Sequence, residues 1–336
     1  MERIMEEKIR WGILGTGRIA KTFAEALRGT EGCSCYAVAS RTKDKADAFA
    51  KENGFEKAYG SYAELAADKN VDIVYIATPM SSHYGDSLLC LKNGRHVLCE
   101  KSLALNTAQS LEMIECAKKN GLFFMEAMWM KCRPSFLKIK EWIAEGKIGT
   151  PQYVRADFCS HIPYNSNDRL FRADCGGGAL LDMSVYDLAF ATSILGTKPE
   201  KIESTARLGR EGVDLSNAII LKYKNGSSAS LLASFELPSL NNAVVVGDRG
   251  SIVTDKWFFC CNEATLYDAD GIVVEKCSLP VKVNGYEYEI MEANRCLREG
   301  LLESPMIPHA DTIAIMQIMD ECRKQWNMKY PDEASS

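Results

Sequence analysis

The stretch Ile9-Arg10-Trp11-Gly12-Ile13-Leu14-Gly15-Thr16-Gly17-Arg18-Ile19-Ala20 decides the fold. A short apolar run, Ile9 to Leu14, ends at a glycine. Ile19 to Leu27 follows, with Ile19, Phe23, Ala26 and Leu27 on one side of a helix. Between them Gly15-Thr16-Gly17-Arg18-Ile19-Ala20 fits the Gly-x-Gly-x-x-Ala form of a dinucleotide-binding turn. It lies in the context that form needs, after a strand and at the opening of a helix. Gly15 permits the tight turn, Gly17 lets the backbone approach a pyrophosphate, and Ala20 permits close helix–strand packing. The N–H groups of Thr16, Gly17, Arg18 and Ile19 then face phosphate at a helix start. The alternative is a plain glycine turn, against which the elements that follow speak.

Outward from this turn the first half alternates strand and helix. Cys35–Ser40, Val71–Ala77, His96–Cys99 and Leu122–Ala127 read as strands, and Lys43–Asn53, Ser81–Asn93 and Thr107–Asn120 as helices. Val71–Ala77 is almost continuously apolar, as a parallel strand covered on both faces must be. The pattern predicts an α/β fold, with an N-terminal Rossmann domain (a doubly wound parallel sheet) over residues 1–127. After about Met128 the grammar changes to mostly strands with short turns. Asn225-Gly226 between Ala218–Tyr223 and Ala229–Phe235 is a hairpin signal. Residues 128–336 are expected to form a C-terminal α+β domain with a large open, mostly antiparallel sheet. Ala179–Leu195 is read as a helix behind Gly176-Gly177-Gly178, and two further helices close the chain.

The 336 residues are 46% hydrophobic and 25% charged, and the formal charge is -5. This balance excludes disorder and disfavours a nucleic-acid partner. No run approaches the ~18 apolar residues of a membrane span, and Met1 to Arg10 is charged, without the apolar core of a leader. Thirteen scattered cysteines include no Cys-x-x-Cys pair. They read as buried thiols in a reducing, cytoplasmic setting. His96, His161 and His309 stand apart from carboxylates at metal-ligand spacing, so no metal is expected.

The end of the second strand sets coenzyme choice. A carboxylate there would bind a ribose 2′-hydroxyl, but Ala39-Ser40-Arg41-Thr42-Lys43 has none before Asp44. Ser40, Arg41 and Lys45 suit a 2′-phosphate instead, which predicts NADP(H). Alternatively, Arg41 only begins a solvated helix. Loops at the carboxyl ends of the next strands carry Ala77-Thr78-Pro79-Met80-Ser81-Ser82-His83 and Cys99-Glu100-Lys101-Ser102. A lysine directly after a buried strand can exchange a proton with a hydroxyl in a dry cleft. By itself Lys101 reads by default as a snorkelling surface side chain. Asp182 and Tyr186 are four residues apart, on one face if helical, and could hold a diol and relay its proton. A structural Asp–Tyr hydrogen bond is the alternative.

Together these motifs, with Gly-Gly-Gly-Ala-Leu-Leu-Asp before Tyr186, resemble the glucose–fructose oxidoreductase/inositol dehydrogenase family over nearly the whole chain. Met125-Glu126-Ala127-Met128-Trp129 and Asp182-x-x-x-Tyr186 are most similar to its dimeric dihydrodiol dehydrogenase and NADP-dependent D-xylose 1-dehydrogenase branch. The resemblance implies an NADP-dependent dehydrogenase or reductase acting on CH–OH groups of a small sugar or trans-dihydrodiol-like polyol. It makes Lys101 and Tyr186 the proton-transfer residues, with Asp182 supporting substrate. It lays Thr78, Pro79, His83 and Glu100 along the coenzyme, and sets Trp129 and Phe158 at the substrate. It implies a homodimer through the outer face of the C-terminal sheet, or a dimer of such dimers.

Two departures stand out. Ser102 replaces the family's usual proline, which removes a fixed φ and makes a cis peptide costly. Trp129-Met130-Lys131-Cys132-Arg133-Pro134 lacks an aromatic pair before the proline, which favours a polar, sugar-like substrate over a flat aromatic diol. The competing class is an NADP-binding sensor or regulator of the same fold without turnover, since fold alone does not set function. Such a protein has no need of both Lys101 and Tyr186.

Overall fold

The structure, a computed structural model, describes residues 8–331; most of the charged segment Met1 to Arg10 lies outside them. The described chain divides into two compact units. The first holds the residues as far as Ala104, with Ala108–Trp129 and Lys282–His309; the second holds Leu105–Thr107, Met130–Val281 and the residues from Ala310 on.

The first unit is built on a six-stranded sheet of β1 (Ile9–Leu14), β2 (Cys33–Ala39), β3 (Lys57–Tyr59), β4 (Ile73–Ile76), β5 (His96–Glu100) and β6 (Phe124–Ala127). All pairings are parallel, in the order β3-β2-β1-β4-β5-β6. The order reverses between β1 and β4, and the carboxyl ends of strands at such a switch point form the ligand crevice of doubly wound sheets. Helices α1 (Arg18–Arg28), α2 (Lys43–Asn53), α3 (Tyr62–Ala67), α4 (His83–Lys92) and α5 (Thr107–Lys119) connect the strands. The short β3 and α3 were not legible as separate elements. Trp11, Ile13, Phe23, Tyr75 and Leu98 are fully buried, and Phe23 stacks on Tyr75 with centroids 3.6 Å apart.

From sequence, residues 128–336 form one domain; in the structure 282–309 group with the first unit. The reason is long-range. The helix Glu287–Arg298 packs on α1, and Asn294 accepts a hydrogen bond at 3.1 Å from the buried indole of Trp11. The N–H of Phe124 in β6 donates to the carbonyl of Leu302.

In the second unit, α6 (Pro134–Ala144) precedes β7 (Pro151–Cys159) and α7 (Val185–Leu195). Seven more strands follow: β8 (Lys201–Leu208), β9 (Asp214–Lys222), β10 (Ser228–Ser234), β11 (Ala243–Gly247), β12 (Gly250–Thr254), β13 (Glu263–Asp268) and β14 (Val273–Ser278). The helix Glu287–Arg298 is α8 and His309–Gln325 is α9. The sheet order is β14-β13-β12-β11-β7-β10-β9-β8. Only β7–β10 is parallel, so the expected open, mostly antiparallel sheet is present. The Asn225-Gly226 turn joins β9 to β10 as expected, with Gly226 at φ 87°. Alternation along the strands buries Val154, Ala229, Leu231, Ile219, Leu221 and Val245 on one face, where α7 packs. Tyr153, Arg155, Ala218, Ile220, Ser230 and Leu232 line a shallow groove on the other. The stretch Ala173–Leu195 is apolar and long enough to cross a membrane, but 78% of its most apolar 18-residue window is buried inside the fold.

Candidate active site

The first half of the site is the turn after β1. Gly15 has φ 102°, and a Cβ there would lie 2.7 Å from the carbonyl oxygen of Ala77. Only glycine lets the β1 and β4 loops approach this closely. Gly17 stands at the start of α1 with no side chain capping the helix, and a Cβ there would meet nothing within 4 Å. Open space over uncapped N–H groups fits an anionic pyrophosphate. Thr16 and Ile19 are half-buried and Arg18 is exposed. At the end of β2, Ser40 is buried, its hydroxyl 3.3 Å from that of Thr16. Arg41 and Lys45 are exposed where α2 begins. These residues fit a nicotinamide dinucleotide.

The loops after β4 and β5 are tied together. His83 is buried, and its ring nitrogens each lie 3.0 Å from a carbonyl oxygen, those of Thr78 and Ser102. His83 is therefore a brace between the loops. The Thr78 hydroxyl donates to Asp86 at 2.7 Å, and Pro79 is exposed beside it. Glu126 on β6 accepts the N–H of Leu103 at 3.1 Å. Glu100 is buried, takes the hydroxyl of Tyr75 on one oxygen and accepts the N–H of Lys101 on the other. Lys101 is half-buried, held by fixed backbone on both sides, and the Lys101–Ser102 peptide is cis. Trp129 is buried, with its ring stacked on Tyr286 at 4.5 Å.

The second unit carries the remaining candidates. Ala179–Leu195 is not one regular helix: Leu180–Ser184 forms a π-helical turn, and α7 proper begins at Val185. Asp182 lies in the wide turn and Tyr186 in the helix, so four-residue spacing alone does not put them on one α-helical face. Arg169 pairs with Asp182 at 3.3 Å. The buried ring of Tyr186 lies 4.9 Å from Phe259 and 6.0 Å from Phe158, and Trp257 meets Phe158 edge-on at 5.8 Å.

The triple glycine serves the chain itself rather than a ligand. A Cβ on Gly177 would lie 2.6 Å from the carbonyl oxygens of Arg169 and Leu170, and one on Gly178 would lie 2.4 Å from Asp214. The Asp214 carboxylate accepts the N–H of Leu180 at 2.9 Å and so caps the turn that carries Asp182. Burial pushes the Asp214 carboxyl up to about 6, against the opposing pull of its hydrogen bonds from Asn217 and Leu180.

Arg169, Trp257, Phe259 and Tyr286 were not singled out from sequence. The aromatic run Trp257-Phe258-Phe259 between two strands was a readable signal, because a connection seldom needs three rings. Arg169 and Tyr286 carry no local signal. His161 is exposed, with Nδ1 3.0 Å from the Glu236 carbonyl oxygen. Among the described residues no group of three or more His, Cys, Asp or Glu is placed to hold a metal ion. All thirteen cysteines are free thiols.

A doubly wound sheet with a glycine turn at its switch point defines a dinucleotide-dependent class, and comparison with known proteins agrees. Residues 9–128 match the oxidoreductase family with an NAD-binding Rossmann fold, and residues 136–253 match the GFO/IDH/MocA C-terminal domain. The chain belongs to this oxidoreductase family. It is similar to the trans-1,2-dihydrobenzene-1,2-diol dehydrogenase of Mus musculus, at 36% identity over 97% of this chain and 99% of the relative. The Xenopus laevis protein of that name is 35% identical over 96% and 99%. Among solved structures, a 3-ketoreductase from Actinomadura kijaniata in complex with NADP and TDP-benzene superposes with TM-score 0.84. It is 26% identical, over 95% of this chain and 98% of that one. Levoglucosan dehydrogenase, in complex with NADH and levoglucosan, shares the fold with TM-score 0.85 at 19% identity, over 95% and 98%.

Proposed function

We propose that this protein transfers a hydride between NADP(H) and a hydroxyl-bearing carbon of a sugar or trans-dihydrodiol-like polyol, with Lys101 and Tyr186 handling the proton. The observation that carries this reading is the mounting of Lys101. Glu100 holds its N–H, and His83 and Glu126 hold the backbone that follows. That much buried apparatus behind one half-buried lysine is what a positioned proton-transfer group requires.

When bound, the coenzyme supplies the hydride acceptor for oxidation or the donor for reduction. Gly15, Thr16, Gly17, Arg18 and Ile19 hold its pyrophosphate, and Ser40, Arg41 and Lys45 hold the 2′-phosphate. Thr78, Pro79, His83 and Glu100 belong to the loops along its nicotinamide end. In oxidation the substrate C–H bond gives up a hydride and the O–H bond gives its proton to the Lys101 and Tyr186 pair. Asp182, paired with Arg169, orients substrate hydroxyls. Trp129, Phe158 and Tyr186 offer ring faces to the apolar side of a cyclic polyol. The relatives named as dihydrodiol dehydrogenases support a vicinal diol as substrate.

The open face of the second sheet, with Ile220 and Val246 more than a third exposed, supports a homodimer or a dimer of such dimers. Thirteen free thiols support a reducing, cytoplasmic setting. Absorbance of the reduced nicotinamide, followed with NADP+ and a panel of pentoses, hexoses and trans-dihydrodiols, tests the reading. Turnover on the panel is expected. Tight NADP(H) binding with no turnover in either direction would make the chain a coenzyme sensor instead.

A further inference from the structure

The stretch Trp129–Pro134 carries no aromatic pair before its proline, yet its arginine holds an aromatic run from far along the chain. Arg133, at the start of α6, is only 3% exposed. Its guanidinium donates to the Cys260 carbonyl at 2.8 Å and to the side-chain oxygen of Asn262 at 2.9 Å. Between them, the Cys261 carbonyl accepts the Ser135 hydroxyl at 2.7 Å. Three successive residues of the connection between β12 and β13 are thus fixed to the beginning of one helix. A buried guanidinium is costly unless its N–H groups are satisfied, and charge-assisted bonds of this kind are strong and directional.

The residues just before this anchor are aromatic. Trp257 has φ 61°, a left-handed backbone that a bulky residue rarely adopts unless its surroundings hold it there. The Cys260 N–H closes the turn on the Trp257 carbonyl at 2.7 Å, and the Phe258 N–H donates to the Asn241 carbonyl at 2.9 Å. The Phe258 ring is buried, edge-on to Phe190 at 5.5 Å. Its two neighbours instead meet Phe158. Phe259 stacks on it at 4.3 Å and lies 4.9 Å from Tyr186, and Trp257 meets it edge-on. Phe158, Trp257 and Phe259 are each only half-buried. An anchored turn that leaves three rings part open beside Tyr186 suits an apolar ring.

We propose that Arg133 is a positioning residue for substrate selectivity. With Ser135 it holds the turn, so that Trp257 and Phe259 join Phe158 in presenting rings beside Tyr186 to a diol carried on a flat, apolar ring. A sugar, with hydroxyls around its whole ring, buries less apolar area there. The preference expected from the missing aromatic pair is thereby reversed, in favour of the ring-borne diol. The inference rests on the proposed use of Tyr186 in the reaction.

The test compares a benzene trans-dihydrodiol with D-xylose on the full-length protein with NADP+. The wild type should favour the dihydrodiol in kcat/KM. In Arg133→Met that preference should fall by about tenfold or more through a raised KM for the dihydrodiol, with kcat and NADPH affinity kept within about threefold. Arg133→Lys keeps the charge but not the fork of donors and should fall between the two. Ser135→Ala and Phe259→Leu, which leave the buried cation in place, should lower the preference in the same direction. Dihydrodiol binding to the NADPH complex, read by calorimetry, should give the same order without turnover. A dihydrodiol-to-xylose ratio that is the same in wild type, Arg133→Met and Phe259→Leu overturns the proposal, because a merely structural arginine affects both substrates alike. A wild type that binds D-xylose as tightly as the dihydrodiol overturns it too. If the dihydrodiol binds in the expected order and neither substrate turns over, the proposed reaction falls and the role of Arg133 stands.

Discussion

The guanidinium of Arg169 lies 3.3 Å from the carboxylate of Asp182, and the arginine side chain is 47% exposed. An ion pair this open contributes about 1 kcal/mol or less to stability. Arg169→Ala should therefore leave the urea midpoint nearly unmoved. Under the proposed function it should raise KM for substrate more than it lowers kcat, because Asp182 loses the cation that aims it. A large drop in stability with unchanged KM would make the pair structural.

The glycines divide by what surrounds them. Gly177→Ala forces a methyl group onto three carbonyl oxygens, and Gly178→Ala adds a side chain at φ 112° against Asp214. Each should cost about 2–4 kcal/mol in urea denaturation, because the neighbour is backbone or a buried acid. Gly17→Ala has open space and an ordinary φ of -81°. It should fold normally and lose coenzyme affinity, which calorimetric titration with NADPH would show.

Asp214 makes stability depend on pH. Its carboxyl is raised in the folded protein to about 6. The folded state therefore holds the proton more tightly than the unfolded state. This contribution is full below about pH 4, is lost as pH rises through about 6, and amounts to on the order of 3 kcal/mol. Asp214→Asn cannot ionise, so the difference between wild type and variant should shift toward the variant across that window. Parallel urea midpoints from acidic to neutral pH would show that Asp214 is already ionised at the acid end.

Coenzyme choice rests on Arg41. Arg41→Ala should weaken NADPH binding by about tenfold, the worth of one charge-assisted contact, and leave NADH binding within a factor of about two. Tighter binding of NADH than NADPH by the wild type would remove the 2′-phosphate role from Ser40, Arg41 and Lys45.

Lys101→Met should lower turnover by about 10²-fold or more with NADPH affinity largely kept, as expected for loss of a proton-transfer group. Unchanged turnover, measured on the best substrate of the panel, would take Lys101 out of the reaction.

What the sequence determined by itself was whatever depends on neighbours along the chain. The glycine turn, the apolar parallel strands and the Asn225-Gly226 hairpin follow from patterns within a dozen residues, where local sterics and periodicity dominate. So do the fold class and the positions of Lys101 and Ser40 at strand ends. Tertiary structure decided what depends on residues distant in sequence. It placed α8 with the first unit through Trp11 and Asn294, buried Glu289 without a hydrogen-bond partner, paired Arg169 with Asp182, and ringed Tyr186 with Phe158 and Phe259. It also packed the triple glycine closely against Asp214 and the chain's own carbonyls. Burial and its electrostatic consequences are properties of all the atoms around a group, and no local pattern encodes them.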